Sequence, residues 1–271
     1  MNKKTFITLQ KIRDSHTWKR EYERYLPLSR YVFRPLGFLL TWLAIRIGLT
    51  SETVSWLSGL AGLIGCSCLI SGQEQLLPIG IALLLFFNLL DCVDGSIART
   101  MKTENPYGKF LDSLMGWIDM VFWALIGVMA YRHPELLYWS NPFDKGVIVW
   151  LAIGGSTCYF FILVGYIEGI FDELMREDWD KVSDKSRSGS FKNNVTENRN
   201  ISPSFILSII RRINHNLRVR ETHYFLLVFA YLGKAIDLLL GFFLFYYFLH
   251  TIFLIIIYSN RGRKIRLKYH A

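Results

Sequence analysis

The chain has 271 residues, of which 52% are hydrophobic and 15% aromatic, and it carries a formal net charge of +9. The apolar residues come in blocks and do not alternate with polar ones, which is not the pattern of a water-soluble domain. Blocks of this kind are typical of membrane spans, so the excess of positive charge favours anionic membrane lipids as partners, and we expect no nucleic-acid partner.

Residues 1–49 are predicted to form a cytoplasmic and interfacial segment. The first part is rich in Lys, Arg, Tyr and Trp, whereas residues 36–49 are apolar but too short to cross a bilayer and are interrupted by Arg46. Such a segment predicts an amphipathic helix lying in the membrane interface, with its cations toward the headgroups. Thr50 and Ser51 then offer N-cap oxygens for a first span, and Glu52 lies in the first turn, where the helix dipole favours an acid.

Six apolar blocks approach the roughly 20 residues that a helix needs to cross a bilayer. They lie at about residues 53–71, 76–97, 109–131, 147–168, 223–239 and 241–258. A single bent helix in place of the last two is an alternative, because a short polar kink separates them. We therefore predict an all-α integral membrane protein with six transmembrane helices plus an N-terminal interfacial amphipathic helix, in which residues 50–260 form the membrane domain.

The distribution of cations along the chain predicts its orientation. Most Lys and Arg residues lie before residue 50, at 99–109, at 176–220 or after residue 260. The cations that lie outside these segments are Arg132, Lys145 and Lys234. The positive-inside bias therefore places both termini and the region around residues 91–112 in the cytoplasm, and an even number of spans agrees with this.

The composition changes after the fourth span. We predict a cytoplasmic loop at residues 172–222, because its first part is polar and poor in aliphatic residues. Within it, residues 204–217 carry an apolar stripe opposite Arg211 and Arg212, which predicts an amphipathic surface helix. Residues 261–271 form a basic cytoplasmic tail.

Three carboxylates, Asp91, Asp94 and Asp112, occur where one apolar segment ends and the next begins. Ionisable groups at membrane depth are costly and normally face a cavity or a partner. Carboxylates that converge from two antiparallel helices can hold Mg²⁺ or Mn²⁺, because these ions prefer hard oxygen ligands and leave room for phosphates. The alternative is that the acids only pair with neighbouring Arg and Lys side chains at the membrane boundary.

Small side chains accompany these acids. A rotation of about 100° per residue places Gly95 and Ala98 on the same helical face as the first two acids, and Gly108 lies four residues before Asp112 on the next helix. Such positions leave space for a ligand to approach the backbone. Arg99, one step round from Ala98, can bind phosphate through two parallel hydrogen bonds.

The spacing of these residues resembles the signature of the CDP-alcohol phosphotransferases, a family of integral membrane enzymes. The matching positions are Asp91, Asp94, Gly95, Ala98, Arg99, Gly108 and Asp112. The resemblance implies a six-helix membrane bundle, a bound divalent cation or a pair of them, and transfer of a substituted phosphate from a CDP-alcohol donor to a hydroxyl acceptor with release of CMP.

The same resemblance assigns a role to each matching residue. It implies that the metal ligands are Asp91, Asp94 and Asp112. It implies that the residues around the cytidine diphosphate are Gly95, Ala98, Arg99 and Gly108.

The chain departs from the family at one position. The family motif ends with a further aspartate four residues after the third, assigned as base and metal ligand, whereas this chain has Gly116. Asp119 would lie on the same helical face as Asp112, although seven residues correspond to about 10.5 Å of helical rise. The candidates for the catalytic carboxylate are therefore Asp112 and Asp119. Glu168 and Asp172, an i,i+4 pair at the end of the fourth span, are alternatives.

Three functions are compatible with the sequence. The first is an active CDP-alcohol phosphotransferase of phospholipid biosynthesis. The second is a weakened relative that binds a CDP-alcohol as a regulatory or assembly subunit, which Gly116 favours. The third is a membrane transporter, which is opposed by the position of the acids at helix ends. The donor, CDP-diacylglycerol or a CDP-choline-like compound, and a homodimeric assembly are left open.

Overall fold

The computed structural model describes residues 7–17, 23, 25–139, 147–182 and 205–269, and every regular element in these ranges is helical. The α-helices are α1 Leu9–Asp14, α2 Arg34–Ile47, α3 Ser51–Ile70, α4 Leu77–Met101, α5 Pro106–Gly116, α6 Phe122–Arg132, α7 Val147–Val182, α8 Phe205–Leu217, α9 Arg220–Leu232 and α10 Ile236–Tyr269. A π-helical turn, Ser29–Phe33, precedes α2, and 3₁₀ turns occupy Glu74–Leu76 and Pro134–Leu136. The all-α prediction is confirmed.

Four helical segments of the described chain are long and apolar enough to cross a membrane. They are Ser51–Ile70, Glu74–Met101, Ile148–Phe171 and Ile236–Arg263. They support an integral membrane protein and correspond to the first, second, fourth and sixth predicted spans. The other two predicted spans are not continuous helices of that length.

The third predicted span, residues 109–131, is divided into α5 and α6 by a turn at residues 117–121. Within the turn the backbone N–H of Met120 donates to the carbonyl of Trp117 at 3.2 Å, a bond that closes a tighter turn than that of an α-helix. Gly116 ends α5, and glycine is a weak helix former. The straight helix assumed from the hydropathy pattern is therefore wrong at this point.

The fifth predicted span, residues 223–239, is also interrupted. Helix α9 ends at Leu232, Lys234 adopts a left-handed backbone conformation with φ of 49°, and α10 begins at Ile236. The backbone N–H of Ala235 donates to the carbonyl of Ala230 at 2.8 Å, which closes the end of α9. The last two predicted spans are thus two separate helices, and α9 is too short to cross a bilayer alone.

The N-terminal segment contains the helix expected of it, but with a different exposed face. In α2 the residues that face the protein are Gly37, Thr41, Ala44 and Ile45. Its exposed apolar residues are Leu36, Leu39, Leu43 and Ile47. The small inner face permits close packing, since a Cβ atom on Gly37 would lie 3.5 Å from Cβ of Cys92 in α4. The exposed residues of α2 are therefore largely apolar, and Arg46 is exposed as well.

The predicted loop at residues 172–222 is helical at both ends. Helix α7 continues to Val182, and α8 and the start of α9 occupy its last part, while residues 183–204 lie outside the described residues. The predicted surface helix is confirmed as a helix, and its side chains Ile209, Ile210 and Ile213 are exposed.

Helices α3 and α4 form an antiparallel hairpin that positions the acids. Near the turn, a Cβ atom on Gly80 would lie 2.9 Å from the carbonyl oxygen of Gly65, so both positions need glycine for the helices to approach this closely. Farther along, the Ser58 hydroxyl donates to the carbonyl of Phe87 at 3.1 Å. The two helices therefore keep a fixed register up to the end that carries Asp91 and Asp94.

Candidate active site

A cavity of about 850 Å³ lies at the open end of the α3–α4 hairpin. Its lining includes all the positions of the sequence signature, namely Asp91, Asp94, Gly95, Ala98, Arg99, Gly108 and Asp112. The remaining walls come from the start of α3, from the loop before α5 and from Arg34 and Glu221. Residues spread over two helices thus share one cavity.

The connection between α4 and α5 reverses the chain and brings Asp112 to this cavity. Lys102 ends α4 in a left-handed conformation with φ of 56°, and the N–H of Thr103 donates to the carbonyl of Ala98 at 2.9 Å. Asn105 then caps α5, because its side-chain oxygen accepts from the N–H of Gly108 at 2.8 Å. A helix C-cap and an N-cap separated by a few residues give the tight reversal.

Asp94 is the most firmly held of the acids, and it is only 3% exposed. The Ser55 hydroxyl donates to its Oδ2 at 2.5 Å, and the backbone N–H of Gly95 donates to its Oδ1. In addition, the Ser51 hydroxyl donates to the Asp94 carbonyl at 2.9 Å. Helix α3 therefore fixes this carboxylate in place.

The other two signature acids are more accessible. Asp112 is exposed on α5, and the Asp91 side chain is half-buried. The Nη1 atom of Arg220 lies 3.6 Å from Oδ2 of Asp91. Asp91 therefore forms an ion pair with an arginine of α9, although other Arg and Lys residues lie nearer to it in sequence.

Three carboxylates lining one cavity are the hard oxygen donors that Mg²⁺ and Mn²⁺ prefer, so the donor chemistry fits such an ion. Among the described residues, however, no group of three or more His, Cys, Asp or Glu side chains lies close enough together to hold a metal ion. Binding of an ion would require the side chains of Asp91 and Asp112 to turn toward Asp94.

Arg99 lies directly over the signature glycine. A Cβ atom on Gly95 would be 3.1 Å from both terminal guanidinium nitrogens of Arg99. The same guanidinium also contacts the N-terminal segment, where Nη2 of Arg99 lies 2.7 Å from Nε2 of His16. His16 is 2% exposed, and its Nε2 atom also lies 3.2 Å from the hydroxyl of Ser96. The N-terminal segment thus helps to position Arg99.

Gly108 has space around it. The atoms nearest to a Cβ atom at this position would be those of the Asn105 side chain, at 3.7 Å or more. Because a methyl group would fit there, a requirement for glycine would come from a bound molecule and not from the neighbouring protein.

The region of Gly116 is occupied by an arginine from α9. Nη2 of Arg220 donates to the Gly116 carbonyl at 3.4 Å, and its guanidinium lies 4.9 Å from the centre of the Phe87 ring. A Cβ atom on Gly116 would be 3.4 Å from the same Nη2 atom. A carboxylate at position 116 would therefore extend onto this guanidinium.

Asp119 does not line the cavity. Its Oδ2 atom accepts from the Tyr224 hydroxyl at 2.7 Å and lies 3.0 Å from Nε of Arg220. Because the chain turns at residues 117–121, Asp119 does not continue the helical face of Asp112, and its assignment as a catalytic group is not favoured by this position. It belongs instead to a buried ion pair behind the cavity.

Glu168, a further candidate base, is not among the described residues that line the cavity. Nη1 of Arg218 donates to Oε1 of Glu168 at 2.9 Å, and their other terminal atoms are paired as well. Asp172 lies in the last part of α7, where the structure does not describe the side chains. The i,i+4 spacing predicted that Glu168 and Asp172 lie on one face of a helix. It could not predict whether that end of the helix lies near the signature acids.

Sequence reasoning missed three residues of the site, His16, Arg220 and Glu221. His16 has no companion at helical spacing, so no pattern indicated it. Arg220 was counted among the loop cations, although an isolated Asp119 inside a predicted span is a signal that a cation from another helix should pair with it.

Comparison with protein families adds an independent finding. Residues 48–169 match the model of a family described as CDP-alcohol phosphatidyltransferase, and the matched range includes every signature position, helices α3 to α6 and α7 as far as residue 169. No curated protein matches the chain. The chain therefore carries a CDP-alcohol phosphatidyltransferase domain over residues 48–169.

Proposed function

We propose that this protein is an active phosphotransferase that moves a substituted phosphate from a CDP-alcohol to a hydroxyl acceptor and releases CMP, as a step of phospholipid synthesis. The observation that carries the proposal is the presence of all the signature residues on one cavity of about 850 Å³. A cavity of this volume is in the range of small-molecule sites and is large enough for a nucleotide diphosphate headgroup.

The donor is held by a cationic and open part of the cavity. Arg99 and Lys109 supply positive charge for the diphosphate, and both line the cavity. Gly95, Ala98 and Gly108 keep side chains away from the surface on which the nucleotide lies. Nη1 of Arg99 is available for a phosphate if the guanidinium moves off Gly95 while His16 stays in contact with Nη2.

Asp91, Asp94 and Asp112 are the residues that would hold Mg²⁺ or Mn²⁺. Bound by these residues, such an ion would neutralise the anhydride oxygens and make CMP a better leaving group. The Ser55 and Gly95 hydrogen bonds hold the Asp94 carboxylate in place, so less conformational freedom is lost when the carboxylates gather.

The acceptor hydroxyl needs a proton acceptor, and we assign that role to Glu221. It lines the cavity, its charge acts on Asp91, and the Ser29 hydroxyl donates to its Oε1 at 2.7 Å. The acceptor oxygen forms a new bond to the phosphorus that carries the alcohol, the anhydride bond to CMP breaks, and the acceptor proton passes to Glu221. Asp112 and Asp91 then remain for the metal ion.

The position of the cavity fits access from the cytoplasm. We propose that both termini and the cavity mouth lie on the cytoplasmic side, which follows from the bias of Lys and Arg toward these segments. A lipid acceptor or a lipid-linked donor would reach the cavity beside α2, whose exposed residues are largely apolar.

The deciding experiment measures CMP release from the detergent-purified chain. Radiolabelled CDP-diacylglycerol and CDP-choline are each offered with a panel of hydroxyl acceptors, with Mg²⁺ or with a chelator. We expect metal-dependent release of CMP that requires an acceptor. A folded sample that binds CDP and releases no CMP with any pair would contradict the proposal.

A second candidate is a subunit that binds a CDP-alcohol without transferring it. Two observations favour it: the chain has no carboxylate at position 116, and Asp119 is paired with Arg220 and Tyr224. The same experiment separates the two functions. A binding subunit would bind CDP with a lower dissociation constant when a metal ion is present, but its CMP release would stay at background.

A further inference from the structure

Arg220 contacts both Asp91, which lines the cavity, and Asp119, which does not line it. Its guanidinium is 3.6 Å from Asp91, 3.0 Å from Asp119 and 3.4 Å from the Gly116 carbonyl, and it also contacts the Phe87 ring. The side chain is 23% exposed, so these contacts are largely shielded from solvent. An arginine fixed on three oxygens has a defined position, and its planar fork suits such a position better than a lysine would.

The guanidinium stays charged. An arginine guanidinium does not lose its proton in a protein, and this one forms ion pairs with the carboxylates of Asp119 and Asp91. A full positive charge is therefore present beside Asp91 at every pH at which the protein is folded.

The same guanidinium also takes the space in which a fourth carboxylate would act. Since a Cβ atom at Gly116 would lie 3.4 Å from Nη2 of Arg220, a carboxylate attached to it would pair with the arginine. The chain therefore lacks a carboxylate at position 116 and has the Arg220 guanidinium near the place where that carboxylate would lie.

We propose that Arg220 is a built-in cation of the site, which takes the electrostatic place of a second divalent ion, so that Asp91, Asp94 and Asp112 bind a single divalent ion. The inference rests on the proposed function for the metal site. Arg220 acts as a positioning residue through Asp91: it directs one carboxylate oxygen away from the cavity and leaves the other for the ion. A second divalent ion beside Asp91 would meet the fixed charge of Arg220 without a carboxylate at 116 to offset it.

Manganese binding tests this inference without relying on turnover. The detergent-purified chain is titrated with Mn²⁺ in the presence of CDP, and electron paramagnetic resonance measures both the bound fraction and the coupling between bound ions. We expect one Mn²⁺ per chain with the spectrum of an isolated ion. Two Mn²⁺ per chain with an exchange-coupled spectrum would overturn the inference.

Variants sharpen the result. The double substitution Gly116→Asp with Arg220→Gln removes the built-in cation and supplies a fourth acid, so we expect two coupled Mn²⁺ ions, whereas Arg220→Lys should keep one. Arg218→Gln is the matched control, because Arg218 is an arginine of the same turn whose partner is Glu168. We expect its Mn²⁺ count to equal that of the unchanged chain.

A folded double variant that still binds one isolated Mn²⁺ would contradict the proposal, and if that variant does not fold, the count for the unchanged chain decides by itself. CMP release is measured on the same samples. Two Mn²⁺ together with CMP release would overturn the role of Arg220 and leave the proposed function standing. No bound Mn²⁺ and no CMP release would overturn the proposed function, and the role of Arg220 with it.

Discussion

The two halves of the molecule contribute to the site in different ways. In the segment at residues 48–169, a linear spacing of small and acidic residues corresponds to positions on one cavity. In the segment at residues 205–269, hydropathy is the pattern that stands out in the sequence, yet the first turns of α9 supply Arg220, Glu221 and Tyr224 to the acids or to the cavity wall. The signature thus identifies the site residues that lie on the α3–α4 hairpin and on α5. It does not identify the side chains that α9 contributes.

Both halves are needed for the charge balance. The signature segment brings Asp91, Asp94 and Asp112 to one cavity, where neighbouring carboxylates repel one another. The C-terminal segment supplies Arg220, which forms ion pairs with Asp91 and Asp119. Variants in each half therefore separate what the signature does from what α9 adds.

The largest effect is expected within the signature. Replacing Asp91 or Asp112 with Asn removes an anionic ligand, and we expect CMP release to fall by about 1,000-fold, which corresponds to about 4 kcal/mol of barrier. Glu74→Gln, at the exposed turn before α4, is the control and should keep normal release. Near-normal turnover in both Asn variants would show that the signature acids do not form the metal site.

The next effect tests the contribution of α9. Glu221→Gln keeps the shape of the side chain but removes the proton acceptor, and we expect CMP release to fall by about 100-fold while the dissociation constant of CDP is unchanged. Glu168→Gln should reduce release far less, because Glu168 pairs with Arg218 away from the cavity lining. A larger loss of CMP release in Glu168→Gln than in Glu221→Gln would instead identify Glu168 as the proton acceptor.

A third prediction concerns the surface over which the nucleotide lies. In Gly95→Leu the new side chain displaces Arg99, whose nitrogens would be 3.1 Å from the first added atom, so we expect CDP binding to weaken by about tenfold or more. Calorimetric titration with CDP measures this, and Ala98→Leu should behave alike. The control is Gly165→Leu, where an added Cβ meets nothing within 4 Å. Loss of folding with retained CDP binding in the folded fraction would indicate that these residues serve helix packing.

Position 116 connects the two halves. In Gly116→Asp, with Arg220 unchanged, the new carboxylate should pair with the guanidinium and draw it from Asp91, so we expect CMP release to fall by about tenfold, or about 1.4 kcal/mol of barrier. Gly116→Asn, which has nearly the same shape without the charge, is the control and should reduce release less. A tenfold rise in the Asp variant would instead identify the chain as a weakened enzyme whose fourth acid had been lost.

The smallest effect tests the pair behind the cavity. Tyr224→Phe removes the hydroxyl that donates to Asp119 but leaves Arg220 in place, so we expect a loss of stability of about 1 kcal/mol. For a chain of this size that corresponds to a decrease in Tm of about 2–4 °C in detergent. Tyr159→Phe, at an exposed tyrosine, should leave Tm unchanged. An equal decrease in both variants would mean that the Asp119 hydrogen bond adds nothing to stability.

The sequence by itself determined the helical class, the location of the long apolar helices and the start of α3. Thr50 caps that helix as predicted, since its hydroxyl accepts from the N–H of Thr53 at 3.1 Å. The sequence also predicted that the two acids of α4 share one helical face and that Asp112 lies on the next helix. These features depend on local rules, namely caps, periodicity and the length of apolar blocks, so they can be read from neighbouring residues.

The tertiary structure decided everything that depends on contacts between distant segments. The third span breaks at Gly116, and Asp119 then faces Arg220 and Tyr224, so a helical projection from Asp112 gave it the wrong surroundings. Arg220 reaches the Gly116 carbonyl across 104 residues of chain, and His16 reaches Arg99 across 83. An ion pair between such residues depends on where whole helices lie, and no spacing along the sequence records that position.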